Sequence, residues 1–223
     1  AIVVVALLAG MAITLTQKRR ADRRFNDVRS LANSLLFEIH DSIRDLPGST
    51  PARKLIVDRA LKYLDSLAAE SGNDPALLRE LAAAYERVGE VQGHYLQNSL
   101  GDTAGSLRSY RRALQIRQQI AARSSDWNDR LSLARSHRMV SNQLWATGDV
   151  RGATDNIGKS ISISETLEKD RPRNTDVLYE LGFDYSMAGS FDLSAPESYR
   201  KAMAIDGAML KLEPNNEKIQ GAY

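Results

Sequence analysis

The sequence predicts an all-α fold: an α-α superhelix of helical hairpins, preceded by a truncated transmembrane helix and a stalk helix. Three observations predict it. Apolar residues recur every three or four positions over most of the chain, the period of an amphipathic helix. Proline, glycine and small polar residues cluster at a few places between these stretches, where helices stop and start. After Asp74 one pattern of large and small residues comes round three times.

Composition agrees with packed helices. The chain has 223 residues, 43% of them hydrophobic but only 6% aromatic, and Ala and Leu recur throughout. Lys plus Arg number 30 and Asp plus Glu 28, a formal charge of +2. That balance gives no footprint for nucleic acid, and no basic-aromatic ladder suggests one. With no cysteine, disulfides and Cys-ligated zinc are excluded. The histidines are His40, His94 and His137, without metal-ligand spacing, so no metal site is expected.

Residues 1–16, AIVVVALLAGMAITLT, carry no charge. A membrane-spanning helix needs about 20 apolar residues. The stretch is slightly short and begins at Ala1 without an initiator Met, so it reads as part of a span that continues upstream. A signal peptide would place its basic region before the apolar run; here Lys18, Arg19, Arg20, Arg23 and Arg24 follow it. A buried globular helix is the third reading, disfavoured by four turns without a polar face.

Residues 17–46 form the expected stalk helix, with Phe25, Val28, Leu31, Leu35, Ile39, Ile43 and Leu46 on one stripe. Pro47-Gly48-Ser49-Thr50-Pro51 ends it. Residues 47–73 are a linker and a packing helix, from about Pro51 to Ser71, whose apolar face includes Leu55, Ala60, Leu61, Tyr63, Leu64 and Leu67. Asp74-Pro75 then supplies an N-cap and a first-turn proline.

The repeats occupy residues 74–223, at about 74–123, 126–172 and 174–214, with a further helix beginning in 215–223. The first has Leu81, Tyr85 and Gly89, then Ser106, Tyr110 and Ala113. The second has Val140, Leu144 and Gly148, then Ala153, Ile157 and Ser160; the third has Leu181, Gly182, Tyr185 and Gly189, then Ala195, Tyr199 and Ala202. In each, a glycine is read as ending the first helix. The pattern resembles the tetratricopeptide repeat, whose small residues let paired helices approach and whose aromatics fill the space to the neighbouring pair. The turn glycines lie 41 to 59 residues apart, against about 34 in that repeat. The helices are therefore expected to be longer, and residues 90–105, EVQGHYLQNSLGDTAG, to be an insert.

A more specific resemblance lies in RRFNDVRSLANSLLFEIHDSI, LPGSTPAR and AAAYERVGEVQG, all within residues 23–93, and continues through GDTAGSLRSYRRAL. These blocks resemble the segment after the transmembrane helix of bacterial membrane serine/threonine protein kinases. The resemblance implies a cytosolic kinase domain upstream, a single span in the inner or plasma membrane, and repeats outside the cytoplasm. The basic cluster after the span points the other way. No kinase motif occurs in these residues, so no cofactor is expected here; ATP and Mg would belong to an upstream kinase domain.

No phosphate loop or nucleophile elbow appears, and carboxylates such as Glu80 and Glu86 are read as surface ion pairs. The candidate site is the groove lined by the first helix of each pair. The repeat register puts Arg79, Ala83 and Arg87 there, then Arg135, Arg138, Asn142 and Trp145, then Tyr179, Phe183 and Met187. Arginine forks bind carboxylates and aromatics give apolar anchorage. Arg138 and Asn142, one turn apart, resemble the start of a carboxylate clamp for peptide C-termini, with Glu180 where that clamp wants an Asn. The competing reading pairs these arginines with nearby acids. The expected function is a non-catalytic protein- or peptide-binding or sensor module of a membrane-anchored kinase, with the stalk helix offering a homodimer contact. The alternative is a membrane-anchored scaffold or assembly factor with no kinase attached.

Overall fold

The structure is a computed structural model, and it describes residues 42–43, 46, 48–70, 74–93, 99–191 and 196–214. The chain divides into two compact units, Ala1–Asp58 and Arg59–Tyr223. The transmembrane segment 1–16 and nearly all of the stalk 17–46 lie outside the described residues, as does 215–223. Among the described residues, no helix is long and apolar enough to cross a membrane.

The described elements are helices of 17 to 21 residues. They are α1 (Thr50–Glu70), α2 (Pro75–Gly93), α3 (Thr103–Ala121), α4 (Trp127–Ala146), α5 (Val150–Asp170), α6 (Thr175–Phe191) and α7 (Pro196–Leu212). Five of the starts, those of α2 to α6, have a side-chain cap. Asp74 accepts from the Ala76 amide, Asp102 from Gly105, Asp126 from Asn128, Asp149 from Gly152 and Asn174 from Val177. These bonds satisfy amides that have no partner inside the helix.

In the second unit the helices pack in chain order. Helices α2 and α3, α4 and α5, and α6 and α7 form three hairpins, and α3 against α4 and α5 against α6 join them. The fold is all-α, a stack of helical hairpins. Between the first two hairpins the core holds Tyr110, Leu114, Val140, Leu144 and Ala153. Next come Leu131, Leu167 and Val177, then Leu181, Tyr185 and Ala202.

Two of the three glycines read as turn residues are not at turns. Gly89 lies inside α2 and Gly189 inside α6. A Cβ on Gly89 would lie 2.8 Å from the Tyr110 ring, and one on Gly189 2.8 Å from the Tyr199 ring. They are the points where an aromatic of the second helix meets the backbone of the first. Gly148 does end a helix, at φ +82°, a conformation that favours glycine.

The corresponding close-approach residue in the second hairpin is Ser141, two turns before Gly148. In the first hairpin the Ser106 hydroxyl of α3 donates to the Gly89 carbonyl of α2 at 2.7 Å. In the second, the Ser141 hydroxyl of α4 donates to the Ala153 carbonyl of α5 at 2.7 Å. The position is the same and the donor has changed sides. With Gly89, Ser141 and Gly189 aligned, the repeats are 52 and 48 residues apart, and the helix starts Pro75, Trp127 and Thr175 keep the same intervals. The expected insert shrinks accordingly. Helix α2 runs four residues past Gly89, to Gly93, and α3 begins at Thr103.

Candidate protein-binding face

The second unit carries its exposed aromatics mainly on α4 and α6. Trp145 is 37% exposed, Tyr179 40% and Phe183 44%. Single exposed apolar residues are ordinary, but a contiguous group marks a contact surface. Here they are contiguous. Trp145 stacks on Phe191 with centroids 4.6 Å apart, and Tyr179 lies 6.5 Å from Phe183. Between them is a recess of about 260 Å³ lined by Asn142, Trp145, Phe183, Ser186, Met187, Ser190 and Phe191. Asn142 has no hydrogen-bond partner for its side-chain amide among the described residues, so a donor and an acceptor stand at the edge of an apolar hollow.

The arginines have other partners. Arg79 of α2 grips Asp129 of α4 with two bonds of 2.7 Å, and that fork holds the Asp129 carboxyl below the usual carboxylate range. Arg135 of α4 donates to Glu180 of α6 at 2.6 Å. Arg138 reaches Glu180 at 2.5 Å and Asp184 at 3.0 Å. Its guanidinium also lies 4.8 Å from the centre of the Phe183 ring. Burial pulls Arg138 down, but the two carboxylates outweigh it and hold the guanidinium above its usual pKa. Asp184 is buried and also accepts from Ser160 at 2.7 Å and Ser164 at 3.2 Å of α5. Arg87 is drawn to Glu90 on its own helix at 3.3 Å.

Apart from Ala83 and Arg87, the residues expected in the groove part into two sets. Asn142, Trp145, Phe183 and Met187 meet around one recess, and Tyr179 extends the aromatic surface beside it. Arg79, Arg135 and Arg138 join one first helix to the next. A carboxylate clamp on Arg138 and Asn142 would need Arg138 free, and Glu180 and Asp184 occupy it. Glu86, expected in a surface pair, is partly buried: Arg117 of α3 contacts it at 3.1 Å and Ser136 of α4 at 2.6 Å.

Sequence reasoning missed Phe191, Ser186 and Ser190. Their signal is in the sequence: 183, 187 and 190–191 share a helical stripe, which a helix ending at Gly189 cuts short and the observed helix, running to Phe191, completes. Missed too was a repeated polar joint. Tyr85 donates to Asp65 at 2.5 Å, twenty residues earlier, and Tyr185 donates to Glu165, also twenty earlier. Lys201 then reaches the Tyr185 hydroxyl at 3.3 Å. In the middle hairpin the ring is His137, buried, with Nδ1 3.0 Å from the Asn156 oxygen. Among the described residues, no group of three or more His, Asp or Glu side chains is placed to hold a metal ion.

The helices define an all-α protein of stacked hairpins with an exposed aromatic face on α4 and α6. No family model matches the sequence, and no curated protein matches it. Among solved structures the chain is similar to the MamA RS-1 ArsTM double mutant, at 16% identity over 79% of this chain and 96% of that one, with a TM-score of 0.27. It is also similar to MamA 41-end from Desulfovibrio magneticus RS-1, at 18% identity over 79% and 96%, with a TM-score of 0.28. At these values the likeness fixes neither fold detail nor function.

Proposed function

We propose that this chain is a non-catalytic protein-interaction module that takes a partner polypeptide on the face formed by α4 and α6. One observation carries the reading: Trp145, Phe183 and Phe191 surround a recess whose edge holds the unpartnered amide of Asn142. An apolar side chain of the partner enters the recess, and Asn142 reads its backbone. Aromatic anchors in a desolvated pocket carry most of the energy of such contacts. The arginines beside it set the arrangement of the helices and leave the face nearly neutral.

A peptide-display selection against the intact protein tests this. Peptides that bind the parent are expected to weaken about tenfold or more on Phe183→Ala or Trp145→Ala, the loss of one anchor. Selected peptides that bind both variants as well as the parent would contradict the reading.

The wider setting is proposed on the resemblance of residues 23–93 to bacterial membrane kinases. In that setting the module is the extracytoplasmic C-terminal part of a membrane-anchored serine/threonine kinase. The second reading, a membrane-anchored scaffold without a kinase, shares the same binding face. The reading frame upstream of Ala1 separates the two.

A further inference from the structure

A hollow of about 420 Å³ opens between α5, α6 and α7, on the opposite side of α6 from the aromatic recess. Its floor is aliphatic, from Leu178 and Leu181 of α6 and Ile205 of α7, and the α7 wall beside it is cut down to Ala204 and Ala208. Charge gathers at the rim. Glu165, Glu168 and Lys169 come from α5, and Lys201 from α7. An apolar hollow of this size with a few polar groups converging on it has the make-up of a small-molecule site. The rim charges are incompletely paired. Tyr185 donates to Glu165, and Lys201 lies 3.3 Å from the Tyr185 hydroxyl and 4.9 Å from the centre of its ring. Lys169 and Lys201 have no carboxylate within ion-pair distance among the described residues, and Glu168 has no cation.

The same place on the first hairpin is built differently. One hundred residues earlier, Leu78, Leu81 and Tyr85 repeat Leu178, Leu181 and Tyr185, and Asp65 repeats Glu165 as the acceptor of the tyrosine. With Tyr110 set on Tyr199, Ile116 repeats Ile205. The walls differ. Gln115 and Gln119 stand where Ala204 and Ala208 do, and Gln115 accepts from the Arg112 guanidinium at 3.0 Å. Ala68 and Ala69 stand where Glu168 and Lys169 do. Around an unchanged floor, the third hairpin has lost two long side chains and gained two charges. A further hairpin beyond α7 would leave the hollow open: the second hairpin covers α3, yet Arg112 and Gln115 remain exposed.

We propose that this hollow binds a small zwitterion with an aliphatic side chain, an α-amino acid or a dipeptide. The floor takes the side chain, Lys169 and Lys201 take the carboxylate, and Glu165 and Glu168 take the ammonium. Charge complementarity decides the class. A simple carboxylate would set its charge against two glutamates, and a simple amine against two lysines; the zwitterion meets both.

Titration calorimetry of the whole chain in detergent micelles tests this. The probes are leucine, the dipeptide leucyl-leucine, isocaproate (the leucine body without its ammonium) and isoamylamine (the same body without its carboxylate). At least one zwitterion is expected to bind, with isocaproate and isoamylamine about tenfold weaker or not bound. The tighter of the two zwitterions gives the size of the ligand. Glu168→Gln and Lys201→Gln should each weaken that binding about tenfold. Ala204→Gln with Ala208→Gln puts the first hairpin's side chains into the hollow at two exposed positions, and should abolish binding while the protein folds as the parent does. Phe183→Ala, on the other side of α6, should leave it unchanged. The proposal is overturned if neither zwitterion binds, or if isocaproate or isoamylamine binds as tightly. It is overturned too if Glu168→Gln and the double glutamine variant bind like the parent, or if Phe183→Ala weakens binding as much as they do.

Discussion

At the residue scale, the same substitution should have opposite effects at two glycines. A methyl group on Gly89 would enter the space of the Tyr110 ring, and that ring is buried in the core between the first two hairpins. Overpacking of this kind costs about 1–3 kcal/mol, more than the ~1 kcal/mol that alanine gains over glycine inside a helix. Gly158 lies in α5 with nothing within 4 Å of its would-be Cβ. Thermal unfolding should therefore show Gly89→Ala less stable than the parent and Gly158→Ala more stable; two shifts of the same sign would contradict the packing. His137 gives a second prediction. Asn156 spends its amide on the Gly152 carbonyl, so its oxygen accepts and His137 Nδ1 donates. Burial, with Lys159 nearby, holds the imidazole below its ordinary pKa. The unfolded chain then binds a proton more readily than the folded one, so stability is fully present above about pH 6.5 and falls as the pH drops below it towards the folded value. In His137→Gln that fall, taken as the difference from the parent between pH 7.5 and 5, should disappear. An undiminished fall in the variant would assign it to other groups.

At the element scale, the joints between first helices rest on buried charge. Arg138 of α4 pairs with both Glu180 and Asp184 of α6, and neither carboxylate is exposed. Removing one partner of such a set leaves uncompensated charge in the interior, at about 3–5 kcal/mol. Arg138→Met should lower the unfolding free energy by that order, while Arg200→Ala on α7, which breaks only a pair with Glu197 whose two side chains are both largely exposed, should cost under about 1 kcal/mol. Equal small losses would mean that Arg138 is a surface residue. The helices themselves were legible because their signals are local. Asp74-Pro75 and the three-to-four spacing place α2 without any tertiary knowledge, and Thr50-Pro51 opens α1. The register of the second hairpin was not legible. A glycine at a turn and a glycine at a helix crossing are the same letter, and Ser141 does at its crossing what Gly89 and Gly189 do at theirs. Likewise Asn142, Trp145 and Phe183 could be placed on one face from spacing alone. That Arg138 is spent on two acids more than forty residues away could not, since the pairing depends on how one hairpin seats on the next.

At the scale of the whole molecule, a stack of hairpins that touch mainly their neighbours is built one joint at a time. Its first helices are tied together by Arg79–Asp129 and by Arg135 and Arg138 with Glu180 and Asp184. The same helices carry the aromatic recess, so the surface offered to a partner is held by the charges that hold the stack. The central claim is that this face, and not the outer side of the hairpins, meets the partner. Amide hydrogen exchange of the intact protein, with and without a peptide selected on it, tests that claim most directly. Slower exchange is predicted in the last turns of α4 around Asn142–Trp145 and across α6 from Tyr179 to Phe191, with α5 unchanged. Protection confined to α5 and α7, with α4 and α6 exchanging as in the free protein, would contradict it.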